Sequence, residues 1–155
     1  MTAVRVSLVD VYVLRQGRGG LECLVLRRAG GTRCTGSWEA VHGHIEEDER
    51  PVDAALRELR EETGLAPRAL YNLSRAETFY LHRKDEISFV PVFVAFVPPD
   101  AAVTLGQEHD GHEWLAPDEA SRRFAWPRER RSLEDAVALF GGGDAGLVED
   151  VLRVC

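Results

Sequence analysis

The stretch that decides the fold is residues 43–65, GHIEEDERPVDAALRELREETGL. Pro51 suits a first helical position and Gly64 the residue just past a helix end, so the spacing predicts a helix over 51–63. Arg50 is a poor capping residue, which leaves the start less sharply marked than the stop. At about 100° per residue, Val52, Ala55, Leu56, Leu59 and Thr63 share one narrow face, expected to be buried, while Glu58, Glu61 and Glu62 occupy a second arc beside it. Like charges three and four residues apart destabilise an isolated helix. Either the three carboxylates form a solvated acidic face, as in most Glu-rich helices, or a hard divalent cation with oxygen ligands compensates them. Arg57 and Arg60 flank the cluster and can take part of the charge. Mg²⁺ suits a few carboxylates plus water and phosphate better than zinc would. Ahead of the helix, Gly43 follows Trp38-Glu39-Ala40-Val41-His42, where a strand is expected. A glycine there lets backbone approach a ligand, and its carbonyl is a candidate fourth oxygen.

Working outward, Val4–Leu14 and Leu21–Leu26 read as adjacent strands joined by the turn Gly17-Arg18-Gly19-Gly20. Two further strands are expected at Arg75–Leu81 and Ile87–Val97, with Pro91 marking a bulge or an edge, and a short one at Glu113–Leu115. Helices are expected at Pro117–Arg123 and Arg128–Phe140; the tail 144–155 reads as a short helix whose packing the sequence does not give. Strands mixed with few helices make the chain α/β or α+β with one mixed sheet. Its 155 residues fit one domain. A formal net charge of −7 argues against a nucleic-acid polymer as partner, since such binders need a basic surface. It does not exclude a phosphate-bearing small molecule, because a metal ion reconciles an acidic site with an anionic ligand. No apolar run is long enough to span a membrane and the first ten residues lack a secretion leader's pattern. Three widely spaced cysteines suit a reducing compartment, so a cytoplasmic location is expected.

Gly43, then five residues, Glu49, then seven residues, then Arg57-Glu58-Leu59-Arg60-Glu61-Glu62-Thr63-Gly64-Leu65 resembles the Nudix box at every fixed position. The chain is accordingly similar to a Nudix hydrolase, with residues 1–155 as a single domain and the box at 43–65. The resemblance implies an α/β fold, an α/β/α sandwich with a mixed β-sheet and a strand–loop–helix–loop catalytic element. It also implies hydrolysis of a nucleoside diphosphate linked to another group, with Mg²⁺ or Mn²⁺ as cofactor. Carried over, Glu58, Glu61, Glu62 and the carbonyl of Gly43 are the implied metal ligands. Glu49 and Arg57 are the implied supporting ion pair, which on the residues alone is a surface salt bridge of little worth. A general base is implied within the box or on a downstream loop, where Glu108 resembles the extra glutamate of many members; Glu61 and Glu62 remain alternatives.

For substrate contacts, Arg27 and Arg28 are candidates to grip phosphate, Trp38 to stack on a base or pack the core, and Lys84, with Arg83, to close over phosphates. The pairs His42/His44 and His109/His112 are read as phosphate or water partners more than as metal ligands. The frame around Trp38, Val41 and Gly43 resembles the dATP pyrophosphohydrolase or dihydroneopterin triphosphate pyrophosphatase branch, whose products are a monophosphate and pyrophosphate. Gly43-His44-Ile45-Glu46 is also similar to diadenosine polyphosphate hydrolases, and an ADP-ribose or nucleotide-sugar pyrophosphatase is a further alternative. A non-catalytic ligand-binding Nudix domain and an isopentenyl diphosphate isomerase are remoter; Cys34 lacks the segment the isomerase needs. A homodimer is compatible with the resemblance, since many relatives dimerise.

Overall fold

Leu8–Gly17 alternates Val9, Val11 and Val13 with Asp10, Tyr12 and Leu14, and on a strand such a period of two sends the sets to opposite faces. The computed structural model, which describes all of residues 1–155, builds the molecule around this strand. In chain order the strands are β1 (Ala3–Val6), β2 (Leu8–Gly17), β3 (Gly20–Arg28), β4 (Trp38–Glu39), β5 (Val41–His44), β6 (Ala69–Leu81), β7 (Glu86–Phe96) and β8 (His109–Leu115). The helices are α1 (Pro51–Thr63), α2 (Pro117–Arg123), α3 (Pro127–Phe140) and the short α4 (Glu149–Leu152). All eight strands join one mixed sheet, in which β2 runs parallel to β7 and antiparallel to β3 and β5. On one face Val9, Val11, Val13, Leu26 and Val41 pack with Ala54, Ala55 and Leu59 of α1. On the other, Tyr12, Leu14, Val25 and Val94 pack with Ala120, Phe124, Leu133 and Phe140 from α2 and α3. Each fully buried large apolar side chain contributes about 1.5–3 kcal/mol, so neither layer is dispensable. The Nudix-like α/β sandwich expected from the sequence is what forms.

Helix α1 has the predicted bounds. Pro51 opens it without a side-chain cap at Arg50, and Gly64, at φ 70°, closes it by donating its N–H to the Arg60 carbonyl at 2.8 Å. The left-handed backbone at that stop is what glycine supplies without strain. The first expected strand is two. Ser7 breaks it, its hydroxyl bonding Glu86 and Ser88, and β1 and β2 then pair in succession along the same edge of β7. Pro91 falls between those two pairings, opposite the point where β6 shifts register between Asn72 and Ala76. It therefore marks a bulge in an interior strand and not an edge. Strand β6 begins at Ala69, ahead of the expected Arg75, because Leu70, Tyr71 and Leu73 are already core residues. Strand β8 likewise starts earlier, at His109. The tail packs back on β6: the Val154 N–H donates to the Leu70 carbonyl, and Leu152 is buried. No helix is long and apolar enough to cross a membrane.

Candidate active site

The loop from Ile45 to Arg50 and the first turns of α1 are tied to β5 by one side chain. Arg57 donates from Nε and Nη2 to the two oxygens of Glu49 at 2.9 and 2.8 Å, and from Nη2 to the His44 carbonyl at 2.8 Å. Its Nη1 reaches Glu58 at 2.8 Å and Glu61 at 3.3 Å. Glu49 also accepts the Glu46 N–H at 3.0 Å. The Arg57 guanidinium, aided by that backbone bond, pulls the Glu49 carboxyl down to about 2. A planar fork matched to a carboxylate is a stiffer tie than a lone surface pair. Strand, loop and helix are thereby joined through one guanidinium.

The three glutamates of α1 meet very different surroundings. Glu61 is largely exposed, at 59% of its side chain, and Glu58 lies half-buried against β5. Glu62 is 4% exposed, and neither carboxylate oxygen has a hydrogen-bond partner. The buried stripe therefore runs through Ala54, Ala55, Leu59, Glu62 and Thr63, whereas Val52 and Leu56, expected at its centre, are only half-buried. The helix is rotated enough to bring a carboxylate inside. Burial, then the negative charges of Glu39, Glu58 and Glu108, push the Glu62 carboxyl well above the ordinary range, against the opposing His42 backbone amide. Burial also raises Glu58, against the pull of Arg57.

An unpartnered buried carboxylate is costly, by several kcal/mol when ionised, unless a cation neutralises it. In this conformation no three carboxylate, imidazole or thiolate groups converge on one point, and Arg57 holds Glu58. The donor set is nonetheless all oxygen, with both Glu62 oxygens unused, which fits a hard divalent cation better than a soft one. Gly43 is buried, and a Cβ on it would sit 2.0 Å from Glu58 Cδ. Its lack of a side chain is what lets Glu58 lie on the strand.

The expected carbonyl ligand needs correcting. Gly43 stands opposite Val9, and the Ile45 N–H donates to the Ser7 carbonyl. Alternation along an antiparallel ladder then turns the Gly43 backbone groups toward β2 and those of His42 and His44 toward the open edge of β5. Arg57 bonding the His44 carbonyl from that edge agrees. The backbone oxygen beside the carboxylates is thus that of His42.

The other expected residues are placed as follows. Glu108 is exposed in the turn just before β8, near enough for its charge to raise Glu58 and Glu62. Arg28 donates to the buried Glu39 at 3.1 Å and to the Arg33 carbonyl at 2.7 Å, so it lies beneath the site. Arg27 pairs with Asp110 at 2.7 Å on the surface. Trp38 packs on the α2–α3 core between the guanidinium groups of Arg27 and Arg123. Lys84 is exposed on the β6–β7 hairpin; burial, His42, Lys84 and Arg33 together lower the His44 pKa against the opposing charge of Glu108. His109 is buried, its Nε2 2.9 Å from Glu39, and is no ligand to anything in solvent. Sequence reasoning missed Asp10, Glu39, Arg128 and Glu129. An aspartate amid the β-branched run VSLVDVYVL was the one signal available for the first.

A profile of the NUDIX domain matches residues 4–136. An octanoyltransferase of Myxococcus xanthus is 37% identical over 132 residues, which are 84% of this chain and 36% of that protein, so the chain spans about a third of that relative's length. The asymmetrical bis(5′-nucleosyl)-tetraphosphatase of Rattus norvegicus is 29% identical over 117 residues, 74% of this chain and 78% of that one. The CTP pyrophosphohydrolase of Escherichia coli K12 is 28% identical over 135 residues, 86% of this chain and 93% of that one. Among solved structures, a C. elegans Ap4A hydrolase in a binary complex superposes with a TM-score of 0.73 at 22% identity, covering 90% of this chain and 99% of that one. The E. coli dihydroneopterin triphosphate pyrophosphohydrolase superposes with a TM-score of 0.66 at 23% identity, covering 84% and 94%. Both share the fold.

Proposed function

The chain belongs to the Nudix family, and from that premise we propose that it is one of the family's hydrolases and cleaves a phosphoanhydride of a nucleoside triphosphate to a monophosphate and pyrophosphate, using Mg²⁺ or Mn²⁺. The observation that carries this reading is Glu62: a buried carboxylate, both oxygens without partners, beside Glu58 and the open edge of β5. Residues 1–155 are taken as one hydrolase unit. When bound, the cation supplies charge neutralisation on the polyphosphate and activation of water.

The chain's residues do the rest. Glu58, Glu61 and Glu62 would hold the cation, with a backbone oxygen of β5 as a further ligand. A carboxylate among Glu61, Glu62 and Glu108 takes the proton of the attacking water; Glu108 has the position of a group able to approach from outside the helix. Arg57 and Glu49 keep the loop in register with α1. Arg27 and Lys84 meet phosphate from the surface, while Arg28 and Trp38 act from beneath, through Glu39 and by packing. The substrate is a soluble nucleotide.

A dinucleoside polyphosphate is the second reading, supported by the likeness to the asymmetrical tetraphosphatase over 78% of that protein. The two differ in the leaving group and not in the carboxylate site. Phosphate release with Mg²⁺ or Mn²⁺, with and without added inorganic pyrophosphatase, separates them on a panel of dATP, the other triphosphates, dihydroneopterin triphosphate, diadenosine tetraphosphate and ADP-ribose. Phosphate from a triphosphate only when pyrophosphatase is present supports the first. Cleavage of the dinucleotide with triphosphates untouched replaces it with the second.

A further inference from the structure

On the sheet face opposite α1, one buried carboxylate holds an imidazole and a guanidinium. Asp10 is fully buried; its Oδ1 lies 2.5 Å from His42 Nδ1 and its Oδ2 accepts from Arg128 Nε at 3.1 Å. Asp10 and His42 are direct cross-strand partners in β2 and β5, at a position where the ladder brings side chains closest. Arg128 comes from the first turn of α3, so its geometry is set by an element packed on that face. Each side chain spends one nitrogen on Asp10. His42 Nε2 and both terminal nitrogens of Arg128 have no protein partner, yet none is sealed from solvent, the side chains being 26% and 12% exposed. Trp126 lies beside the guanidinium, 5.3 Å from Arg128 Cζ to its ring centroid, and limits its swing.

His42 immediately precedes Gly43, against which Glu58 lies, and β5 pairs only with β2, so its other edge is open. A chain of phosphates passing around that edge meets the carboxylates on one face and His42 with Arg128 on the other. We propose that His42 Nε2 and the free nitrogens of Arg128 form a phosphoryl-binding subsite, one that grips the part of the polyphosphate beyond the carboxylate centre, with Asp10 as the positioning residue that aims both. The proposal rests on the hydrolase reading above. A guanidinium presenting two N–H groups matches a phosphate bidentately, and the imidazole adds a third donor. The neighbouring Glu129 spends Oε2 on the Ala40 N–H at 2.6 Å, and burial pushes its carboxyl up. A stitch holding α3 to the sheet would need only the bonds to Asp10, and not donors left over on both partners.

Isothermal titration with magnesium pyrophosphate, alongside steady-state kinetics, tests this. His42→Gln, which leaves the Asp10–Arg128 pair intact, is expected to weaken pyrophosphate binding at least tenfold and to raise KM for the hydrolysed nucleotide while kcat stays within about threefold. Asp10→Asn, which frees both His42 and Arg128, is expected to weaken binding at least as much as His42→Gln, and the double variant to be no weaker than Asp10→Asn alone by more than about twofold. Mn²⁺ binding followed by electron paramagnetic resonance should be unchanged in both single variants. Pyrophosphate affinity within twofold of wild type in His42→Gln overturns the subsite, and fully additive losses in the double variant overturn the positioning by Asp10. A wild type that binds pyrophosphate but hydrolyses no nucleotide overturns the hydrolase reading instead; one that binds no pyrophosphate overturns the subsite.

Discussion

Gly43→Ala is the sharpest perturbation of the carboxylate site. An alanine Cβ there would lie 2.0 Å from Glu58 Cδ, 2.3 Å from Oε1 and 2.5 Å from Cγ. Ordinary contact begins near 3.4 Å, so the Glu58 carboxyl carbon must retreat by about 3.4 − 2.0 = 1.4 Å. Because Cγ is among the crowded atoms, spinning the carboxylate does not suffice; the side chain must change rotamer or α1 must lift from β5. Overpacking of this kind costs about 1–3 kcal/mol, and for a domain of this size each kcal/mol lowers Tm by about 2–4 °C. The catalytic effect is far larger. A reacting or positioning group displaced by about 1 Å loses on the order of 10²-fold in rate. Differential scanning calorimetry and initial rates on the same samples therefore separate two effects: a Tm lower by a few degrees and kcat/KM lower by about a hundredfold. Adding Glu58→Ala to Gly43→Ala should recover the Tm expected for Glu58→Ala alone and none of the rate. Wild-type kcat/KM in Gly43→Ala would refute both the close approach and the role of Glu58.

Further expectations concern the charges around that site. Because burial raises the Glu62 carboxyl well above the ordinary range, Mg²⁺ binding should strengthen as pH rises through that raised pKa and release a proton below it; Glu62→Gln should abolish both the release, read by calorimetry in buffers of differing ionisation enthalpy, and turnover. Arg57→Lys keeps the charge but not the fork to Glu49, Glu58, Glu61 and the His44 carbonyl, so kcat should fall at least tenfold with the fold retained by circular dichroism. Glu108→Gln should lower turnover without abolishing nucleotide binding, and a full-rate variant would return Glu108 to the role of a turn residue. Burial pushes Asp10 up, but His42 and Arg128 outweigh it and hold the carboxyl low; burial pulls His42 down, but Asp10 outweighs it and holds the imidazole high. A lowered acid stabilises above its unfolded value of about 3.9 and ceases to as pH falls through its folded one; a raised imidazole stabilises below about 6.5 and ceases to as pH rises through its folded one. Unfolding midpoints should thus fall on both sides of a plateau, and Asp10→Asn should flatten both slopes.

The box and its helix were legible because their signals are local: a proline, a glycine and a 3.6-residue period fix α1 without reference to anything distant. The same logic located the β2–β3 hairpin and α2. It failed where a partner far along the chain decides. Ser7 looks like any strand residue until Glu86 and Ser88 are found beside it, and Tyr71 and Leu73 extend β6 because they meet α3 and the tail. Arg28 read as a phosphate ligand because Glu39, its partner, gives no sign in the sequence of being buried. Glu62 was grouped with Glu58 and Glu61 by angle, but its burial depends on how far α1 is rolled over β2 and β5, which no helical wheel contains. Arg128 and Asp10 are 118 positions apart, and only the packing of α3 brings them together.

The alternation of β2 has an evolutionary consequence. Val9, Val11 and Val13 belong to the layer that carries α1, and Asp10, Tyr12 and Leu14 to the layer that carries α2 and α3, so selection acts on two sets of positions that share a backbone but few neighbours. Stability effects of substitutions that share no partners add nearly independently. A lineage can therefore remodel the α3 layer while the carboxylate helix drifts hardly at all. Variation in one layer over a constant second layer is the pattern such a partition favours.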